Sequence, residues 1–361
     1  MGVNYNRNVE CYYKSARELF LPIQDVSEIE GFVIRLGKKT YHFRGGHTPW
    51  NNYCSVMLAE NKYCTNKLLQ QAGVPVPKAT AIHIDDFKQG KLRNIIADLT
   101  FPLVIKPTSG AFGEDVLCNI PDYEELHRLT GKVFAGKKHN FISIEEFHGR
   151  LKSFRILVFN NRIIGVLERY PARVTGDGQH TIIELVALAN RQRKQISDTL
   201  GPIVIDEECH IRLRELNITP QYIPKQDECI VLCYTCNASR GGSYEAISNK
   251  MCRENRRLFI KTAAVMNLTL AGIDVECEDL GVPVEQSNGV IIEVNGTPSV
   301  RIHESPMHGK PARVSKPIVR ALLYRHPIYY LYVLYTNKRT AFYIRSVILL
   351  PILAAIYRLL I

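Results

Sequence analysis

A lysine followed by two glycines is the first feature with chemical reach. In Lys106-Pro-Thr-Ser-Gly110-Ala-Phe-Gly113 the lysine closes an apolar strand, Phe101 to Lys106, and glycines follow four and seven residues on. Glycine lets backbone N–H groups approach phosphate oxygens closely, and a lysine supplies a point charge for the same phosphates. No Gly-Lys-Ser/Thr ends the loop, so it is not a Walker loop, and taken alone it reads equally well as a strand-to-strand turn. The second feature joins Gly272-Ile-Asp274 to Ile291-Ile-Glu293-Val-Asn295. Strand periodicity puts Glu293 and Asn295 on one face and Ile292 and Val294 on the other, toward a core. If an antiparallel neighbour carries Asp274, two carboxylates and an amide oxygen form the kind of set that Mg²⁺ takes while sharing its remaining positions with phosphate and water. The alternative is an ion-paired edge glutamate.

Three further groups are weaker. Asn237-Ala-Ser-Arg-Gly-Gly-Ser-Tyr-Glu245 offers N–H donors for a carboxylate, or is a plain turn. Cys233-Tyr-Thr-Cys236 has a C-x-x-C spacing with only Cys252 near it in sequence, short of a zinc set and consistent with apolar thiols in a buried strand. His180 and His303 read as structural histidines, and no nucleophile–histidine arrangement is legible.

The elements that must position these groups follow from apolar periodicity and turn residues. Phe32–Leu36 and Lys39–Phe43 flank Gly37 as a hairpin. Residues 61–72 read as a helix stopped by Gly73 and Pro75. Arg155–Phe159 and Arg162–Arg169 are joined by Asn160-Asn161, a hairpin turn. Strands are expected at Phe141–Glu146, Cys229–Tyr234, Ala271–Cys277 and Gly289–Val294. Helices are expected from Pro121 to about Leu129, from Thr181 to about Lys194, and over Glu254–Met266. Residues 200–228 show no clear period. The pattern predicts an α+β architecture of lobes, with boundaries at 1–60, 61–320 and 321–361.

Composition narrows the class. The chain has 361 residues, 46% apolar and 22% charged, with no low-complexity tract. Its ten cysteines and lack of an N-terminal apolar run predict a reduced, cytoplasmic protein. Net charge is +11, but Ser305–Ile361 holds nine Lys or Arg and no acid, leaving +2 for the rest. That uneven map argues against a nucleic-acid partner. Only twelve residues separate Arg345 from Arg358, and Pro351 falls among them, so a spanning helix is not expected. The tail reads as an interfacial segment on an anionic membrane, or as a packing element on the body or on a second copy.

Taken in order, seven segments carry a resemblance: Asn61 to Pro77, the Lys106 loop, Phe141-Ile-Ser-Ile-Glu145-Glu146-Phe147, Phe154-Arg-Ile-Leu-Val158, Glu168 to Ala172 with Thr175 to Ile182, Asn237 to Gly242, and Asp274 with Glu293-Val-Asn295. From about Asn61 to about Arg313 the chain resembles ATP-grasp carboxylate–amine ligases. Within them it is most similar to the ATP-grasp module of cyanophycin synthetase and of the bifunctional glutathione synthetases. Pro298 to His303 is similar to the same subgroup. The Mur-ligase module of the former and the glutamate–cysteine ligase module of the latter are not legible, so neither whole enzyme is expected.

The resemblance implies an ATP-grasp fold of two α+β lobes gripping ATP, with a small N-terminal lobe and a basic apolar C-terminal helical tail outside it. It implies that Lys106 holds ATP phosphates under the Gly110–Gly113 loop, and that Glu145, Glu146 and Phe147 form a hinge reading adenine through backbone groups. Asp274, Glu293 and Asn295 would hold Mg²⁺, with Mn²⁺ as a substitute. Arg155 and Arg301 would stabilise the transferred phosphoryl group or bind substrate carboxylates, whereas Arg169 reads more as a surface salt bridge. The activity implied is amide formation between an amino-acid or peptide carboxylate and an amine through an acyl phosphate. Two departures stand out. The subgroup's phosphate-contacting lysine seven residues before Gly73 is Asn66 here, with Lys67 beside it but turned by about 100° on a helix. The ribose-binding acid expected seven residues after Glu145 is missing from Gly149-Arg-Leu-Lys-Ser153. A nucleotide-binding sensor or scaffold without catalysis is therefore the alternative function.

Overall fold

Asn6 caps the first helix, α1 (Arg7–Glu18), by accepting from the Asn8 N–H at 3.0 Å. Strands β1 (Ile23–Val26), β2 (Gly31–Leu36) and β3 (Lys39–Arg44) follow as an antiparallel meander. The computed structural model describes residues 6–110, 115–149, 151–196 and 200–360. They form two compact units, whose limits differ from the three consecutive segments read from the sequence. One gathers the stretch through Trp50, Ser299–Ser305 and the stretch from Pro311 onward. The other is Asn51–Pro298 with Pro306–Lys310.

The second unit opens with α2 (Tyr53–Glu60) and α3 (Lys62–Gln71), N-capped by Asn52 and Asn61. A four-stranded antiparallel sheet comes next. Its strands are β4 (Ala79–His83), β5 (Leu103–Pro107), β6 (Leu117–Ile120) and β7 (Phe141–Glu146), in spatial order β4-β7-β5-β6. Helices α4 (Ile84–Lys88), α5 (Leu92–Ile95) and α6 (Tyr123–Ala135) cover one face, burying Ile105, Ile142 and Ile144 against Leu126 and Leu129. The helix α6 runs beyond its expected end because Val133 and Phe134 continue the apolar stripe into that core.

A six-stranded sheet carries the rest of the unit. Strands β8 (Lys152–Phe159) and β9 (Arg162–Tyr170) form the expected hairpin, with Asn160 and Asn161 both at positive φ, 48° and 57°. Two short strands, β10 (Arg173–Thr175) and β11 (Cys229–Val231), pair separately. Between them lie α7 (Ile182–Ile196) and α8 (Glu207–Glu215). The chain then makes β12 (Ser243–Ala246), α9 (Arg253–Val265), β13 (Leu270–Cys277) and β14 (Val290–Asn295). With β15 (His308–Gly309), the sheet order is β14-β13-β8-β9-β12-β15. One face is apolar: Phe154, Ile156, Ile273, Val275, Ile291 and Val294 pack against Phe259 and Ala263 of α9. The other face carries Ser153, Arg155, Arg169 and Asp274, with the buried Leu157 and Leu167 beside them.

A bulge in β14 corrects the expected facing. The register steps from Asp274↔Glu293 to Val275↔Ile291, leaving Ile292 as the extra residue. Ile291, not Ile292, therefore joins Val294 in the core. The bulge flips the alternation once, so Glu293 keeps its place beside Asp274 while the strand before it is re-phased.

In the first unit, α10 (Arg301–Glu304) leads to α11 (Ser315–Arg325), α12 (Pro327–Thr336) and α13 (Ala341–Leu360). Tyr12 and Ala16 of α1, Phe32 stacked on Phe43 at 4.9 Å, and Ile318 and Leu322 of α11 are all fully buried there. Ser15 and Ser315 share a hydrogen bond of 2.7 Å between their hydroxyls. The last helix runs through Pro351 without a break, so the proline does not divide the tail as expected. A proline forfeits one donor, and in α13 the helix continues on both sides of that loss.

Candidate active site

Two polar stripes, one on each of the two larger sheets of the second unit, hold most of the residues singled out in the sequence. On the four-stranded sheet, Lys106 lies opposite Ser143, and Glu145 is two residues further along the same strand. Alternation puts all three on the face away from the Ile105–Ile142–Ile144 core. Lys106 Nζ donates to Glu145 Oε2 at 2.7 Å, and Ser143 Oγ donates to Glu145 Oε1 at 3.1 Å. Both charged side chains are buried. Burial pulls the Lys106 ammonium down, but the Glu145 carboxylate more than offsets it and holds Lys106 above its ordinary value. The lysine is thus kept charged in a dry place.

The stretch after Glu145 is tied into the sheet. The Glu146 N–H donates to Lys78 O at 2.9 Å and the Phe147 N–H to Pro102 O at 3.0 Å. Glu146 Oε1 accepts from the Thr100 N–H at 2.9 Å. The Phe147 ring meets Tyr234 edge-on at 4.8 Å, packed beside Val104, Val116 and Cys118. Both N–H groups are thus engaged within the unit itself. Gly110 sits at φ +142°, open on its Cβ side, as a loop that lets a ligand approach the backbone requires. Gly113 lies outside the described residues.

On the six-stranded sheet, Asp274 of β13 stands between Glu293 of β14 and Arg155 of β8 in register. Arg155 grips it with a fork: Nε donates to Oδ1 and Nη2 to Oδ2, the latter at 2.9 Å. Arg169 of β9 adds Nη1 to the same Oδ2 at 2.9 Å and Nη2 to Ser153 Oγ at 3.0 Å. Asp274 is only 2% exposed, and burial alone would raise its pKa. The two guanidiniums reverse that and hold the carboxyl below the usual range. Glu276, two residues on, shows the opposite balance: burial pushes it up, and the fields of Lys106 and Arg169 do not fully oppose this.

Glu293 is held by a residue outside the sequence expectations. Lys62 Nζ donates to Glu293 Oε1 at 2.9 Å and to the Gly110 carbonyl at 3.0 Å. The Lys62 N–H also donates to Thr108 O at 2.8 Å, tying the start of α3 to the loop after Lys106. Asn295 Nδ2 reaches the Gly272 carbonyl at 3.4 Å. Among the described residues no three His, Cys, Asp or Glu side chains converge on one point. A divalent ion here would have the two neighbouring carboxylates and the Asn295 amide, displacing cations the chain itself now supplies. That donor set still fits a hard ion that leaves several positions to water and phosphate.

The position of Asn66 is resolved by the same helix. Asn66 is buried and donates to Pro77 O at 2.8 Å, pinning α3 to the segment before β4. Lys67 turns elsewhere, donating to Ala79 O at 3.3 Å and lying 5.4 Å from the Tyr63 ring centre. Lys62, one turn earlier on the Asn66 face, reaches the loop and the acidic row instead. Replacing Lys62 with alanine is expected to weaken ATP binding about tenfold by titration calorimetry, the loss of one charge-assisted contact, while Lys67→Ala stays within about twofold. The reverse ranking would remove Lys62 from the site.

A cavity of about 710 Å³ adjoins the polar face, lined among others by Lys152, Ser153, Arg169, Arg212, Tyr234 and Glu276. Two of the lining side chains, Arg169 and Arg212, have a buried Nε with no hydrogen-bond partner among the described residues. The Asn237–Glu245 loop is a packed turn: Gly241 has φ +94°, and the Gly242 N–H is already taken by Asn237 O at 2.8 Å. Cys233 and Cys236 are weakly exposed thiols, both pushed up to about 12 chiefly by burial, in keeping with apolar packing.

Residues 59–179 match the RimK-like ATP-grasp domain. The chain contains an ATP-grasp domain. Cyanophycin synthetase of Synechocystis sp. is 32% identical over 270 residues, 74% of this chain and 30% of that protein. A glutathione biosynthesis bifunctional protein of Desulfotalea psychrophila is 28% identical over 302 residues, 81% of this chain and 38% of its own length. This chain thus spans about a third of the curated relatives it matches. The crystal structure of a bifunctional glutathione synthetase from Pasteurella multocida shares the fold with a TM-score of 0.59 at 22% identity, covering 89% of this chain and 44% of that one.

Within the ATP-grasp architecture, Lys106, Gly110, Glu145, Asp274, Glu293, Asn295 and Arg155 occupy the two polar stripes or the loop between them. Arg301 belongs to the first unit, where its N–H donates to Asn8 Oδ1 at 3.1 Å. Arg169 is not the surface residue expected. Its register with Ser153 puts it on the same face as Arg155, half-buried and ion-paired with Asp274. Lys62 and Arg169 were both within reach of sequence reasoning: the first as the i−4 neighbour of Asn66, the second as the end of the strand that alternates inward at Leu167.

Proposed function

We propose that the chain is an ATP- and Mg²⁺-dependent ligase, ADP-forming, that joins an amino-acid or peptide carboxylate to an amine. The observation that carries this is the presence in one unit of a buried, charged Lys106 on one sheet and, on another, a row of Glu293, Asp274, Arg155 and Arg169 across four neighbouring strands. Phosphoryl transfer asks a protein for positioning and preorganised charge more than for covalent help. Asp274, Glu293 and Asn295 would hold the ion, which neutralises charge on the phosphates when bound. Lys106 and Lys62 supply fixed positive charge beside the loop at Gly110. Arg155, relieved of Asp274, presents a planar fork to a carboxylate or a phosphoryl group. A substrate carboxylate oxygen bonds to the terminal phosphorus as the bond to ADP breaks. The amine then bonds to the acyl carbon, phosphate leaves, and the amine gives up a proton.

The Asn66 substitution supports a second reading, a nucleotide-binding protein that does not turn over. One experiment separates the two. Purified protein with ATP and Mg²⁺ is challenged with pools of amino acids and dipeptides, following ADP and product mass. ADP release with a product heavier by the amine less water supports the ligase. Saturable ATP binding with no ADP from any pool supports the sensor.

A further inference from the structure

The tail contains a helix built for lipid rather than for water or a protein groove. In α13, 20 residues long, every side chain from Val347 to Ile356 is apolar, and every one is exposed. Ten consecutive residues cover all azimuths of a helix at about 100° each, so no polar face exists between them. That distinguishes α13 from an in-plane amphipathic helix, which needs a charged side toward water. It also distinguishes it from a docking helix, which buries one stripe and leaves the other wet. None of the most apolar 18-residue window within Ala341–Leu359 is buried by the protein. The preceding α11, by contrast, has Ile318, Val319 and Leu322 fully buried.

Length and ends agree. Twenty residues rise about 30 Å, the thickness of a bilayer's hydrocarbon core. Lys338 and Arg339 lie exposed just before the helix, and Arg345 sits one turn in, its guanidinium 4.7 Å from the Tyr335 ring centre. Phe342 and Tyr343 are 75% and 70% exposed at that end, and Tyr357 with Arg358 mark the other. Aromatic and cationic residues at both ends of an apolar span match the two headgroup regions, and long arginines reach outward to them from one turn inside. The absence of any acid from Ser305 to Ile361 suits an anionic leaflet.

We infer that α13 inserts across a lipid bilayer, its Lys338–Arg345 end at an anionic surface and its Val347–Ile356 stretch at the middle of the hydrocarbon. This goes further than the interfacial placement expected from the sequence: the helix is continuous through Pro351, and Arg345 and Arg358, with twelve residues between them, each reach outward from inside the span to a headgroup region. The inference does not depend on the proposed ligase activity. The test uses the full chain, purified in detergent and reconstituted into vesicles of phosphatidylcholine with 30% phosphatidylglycerol by about that fraction, then floated on a density gradient. The protein is expected to float with the vesicles and stay there through a wash in about 1 M NaCl, which screens surface charge to a few ångströms. The full-chain variant Leu349→Asp/Leu353→Asp, at two exposed positions, is expected to float at least tenfold less at unchanged melting temperature. Release of the wild type by salt, flotation of the variant equal to wild type, or a chain that remains at the bottom as a soluble oligomer would each overturn insertion.

Discussion

Substituting Glu293 by glutamine is expected to leave the fold intact and cut ADP formation by about 10²- to 10³-fold. Glu293 is partly exposed, its side chain at 28%, and its ion pair with Lys62 is the sort that contributes about 1 kcal/mol or less. The melting temperature should therefore move by only a few degrees. Its place beside Asp274 gives the change its effect: the variant keeps the shape and hydrogen-bonding capacity but removes one of two charges from the proposed divalent-ion site. Turnover measured with the substrates found in the pool screen, at saturating Mg²⁺, decides the matter. Activity within a few fold of wild type would show that Glu293 is only Lys62's partner. A partial rescue by Mn²⁺, which binds such oxygen sites more strongly, would strengthen the assignment.

Lys106→Met is expected to act on stability as well as activity. It leaves Glu145 buried at 2% exposure without its cation, the situation that costs about 3–5 kcal/mol in other proteins. Denaturant unfolding followed by circular dichroism should show a loss of that order. The double variant Lys106→Met/Glu145→Gln removes the stranded charge, keeps the bond from Ser143 Oγ, and should recover most of the stability. It should not recover ATP binding, because the charge proposed to meet the phosphates is still missing. This split separates the two roles of one residue. If the double variant binds ATP as tightly as wild type, Lys106 is a structural cation. If the single variant is as stable as wild type, the Lys106–Glu145 pair is not formed in solution.

Much of the scaffold was legible because it rests on local signals. The Asn160-Asn161 turn, the Asn61-capped helix ended by Gly73, and the strands at Phe141–Glu146 and Ala271–Cys277 follow from turn chemistry and periodicity within ten residues. The strand expected to run to Tyr234 stops at Val231, because Tyr234 and Thr235 turn their N–H groups to Glu208. Residues 200–228 hide α8, whose buried Glu208 breaks the apolar stripe that would have marked it. The types of the site residues were legible, but their pairing was not. Asp274, Glu293 and Lys106 each have a charged partner from another element, Arg155 with Arg169, Lys62, and Glu145. A one-dimensional pattern shows where a charge is affordable only after the sheet order is known. The β14 bulge is of the same kind, since nothing in Ile291-Ile292 says which isoleucine will be skipped.

The hydroxyl contact between Ser15 and Ser315 spans 300 positions of chain. The meander β1–β3 and helix α1 thus share a core with a helix translated much later, and the whole second unit is threaded between the two halves. At about 5–20 residues per second, a ribosome needs about 15–60 s to make that interval. During that time the Ser15 side of α1 has no α11 to pack against, whereas the Asn51–Pro298 stretch has its sheets complete as soon as β14 emerges, apart from the two-residue edge strand β15. The middle of the polypeptide can therefore complete its sheets before the first unit has all of its core residues. The early segment is the one that must be kept from sticking to its neighbours on a polysome.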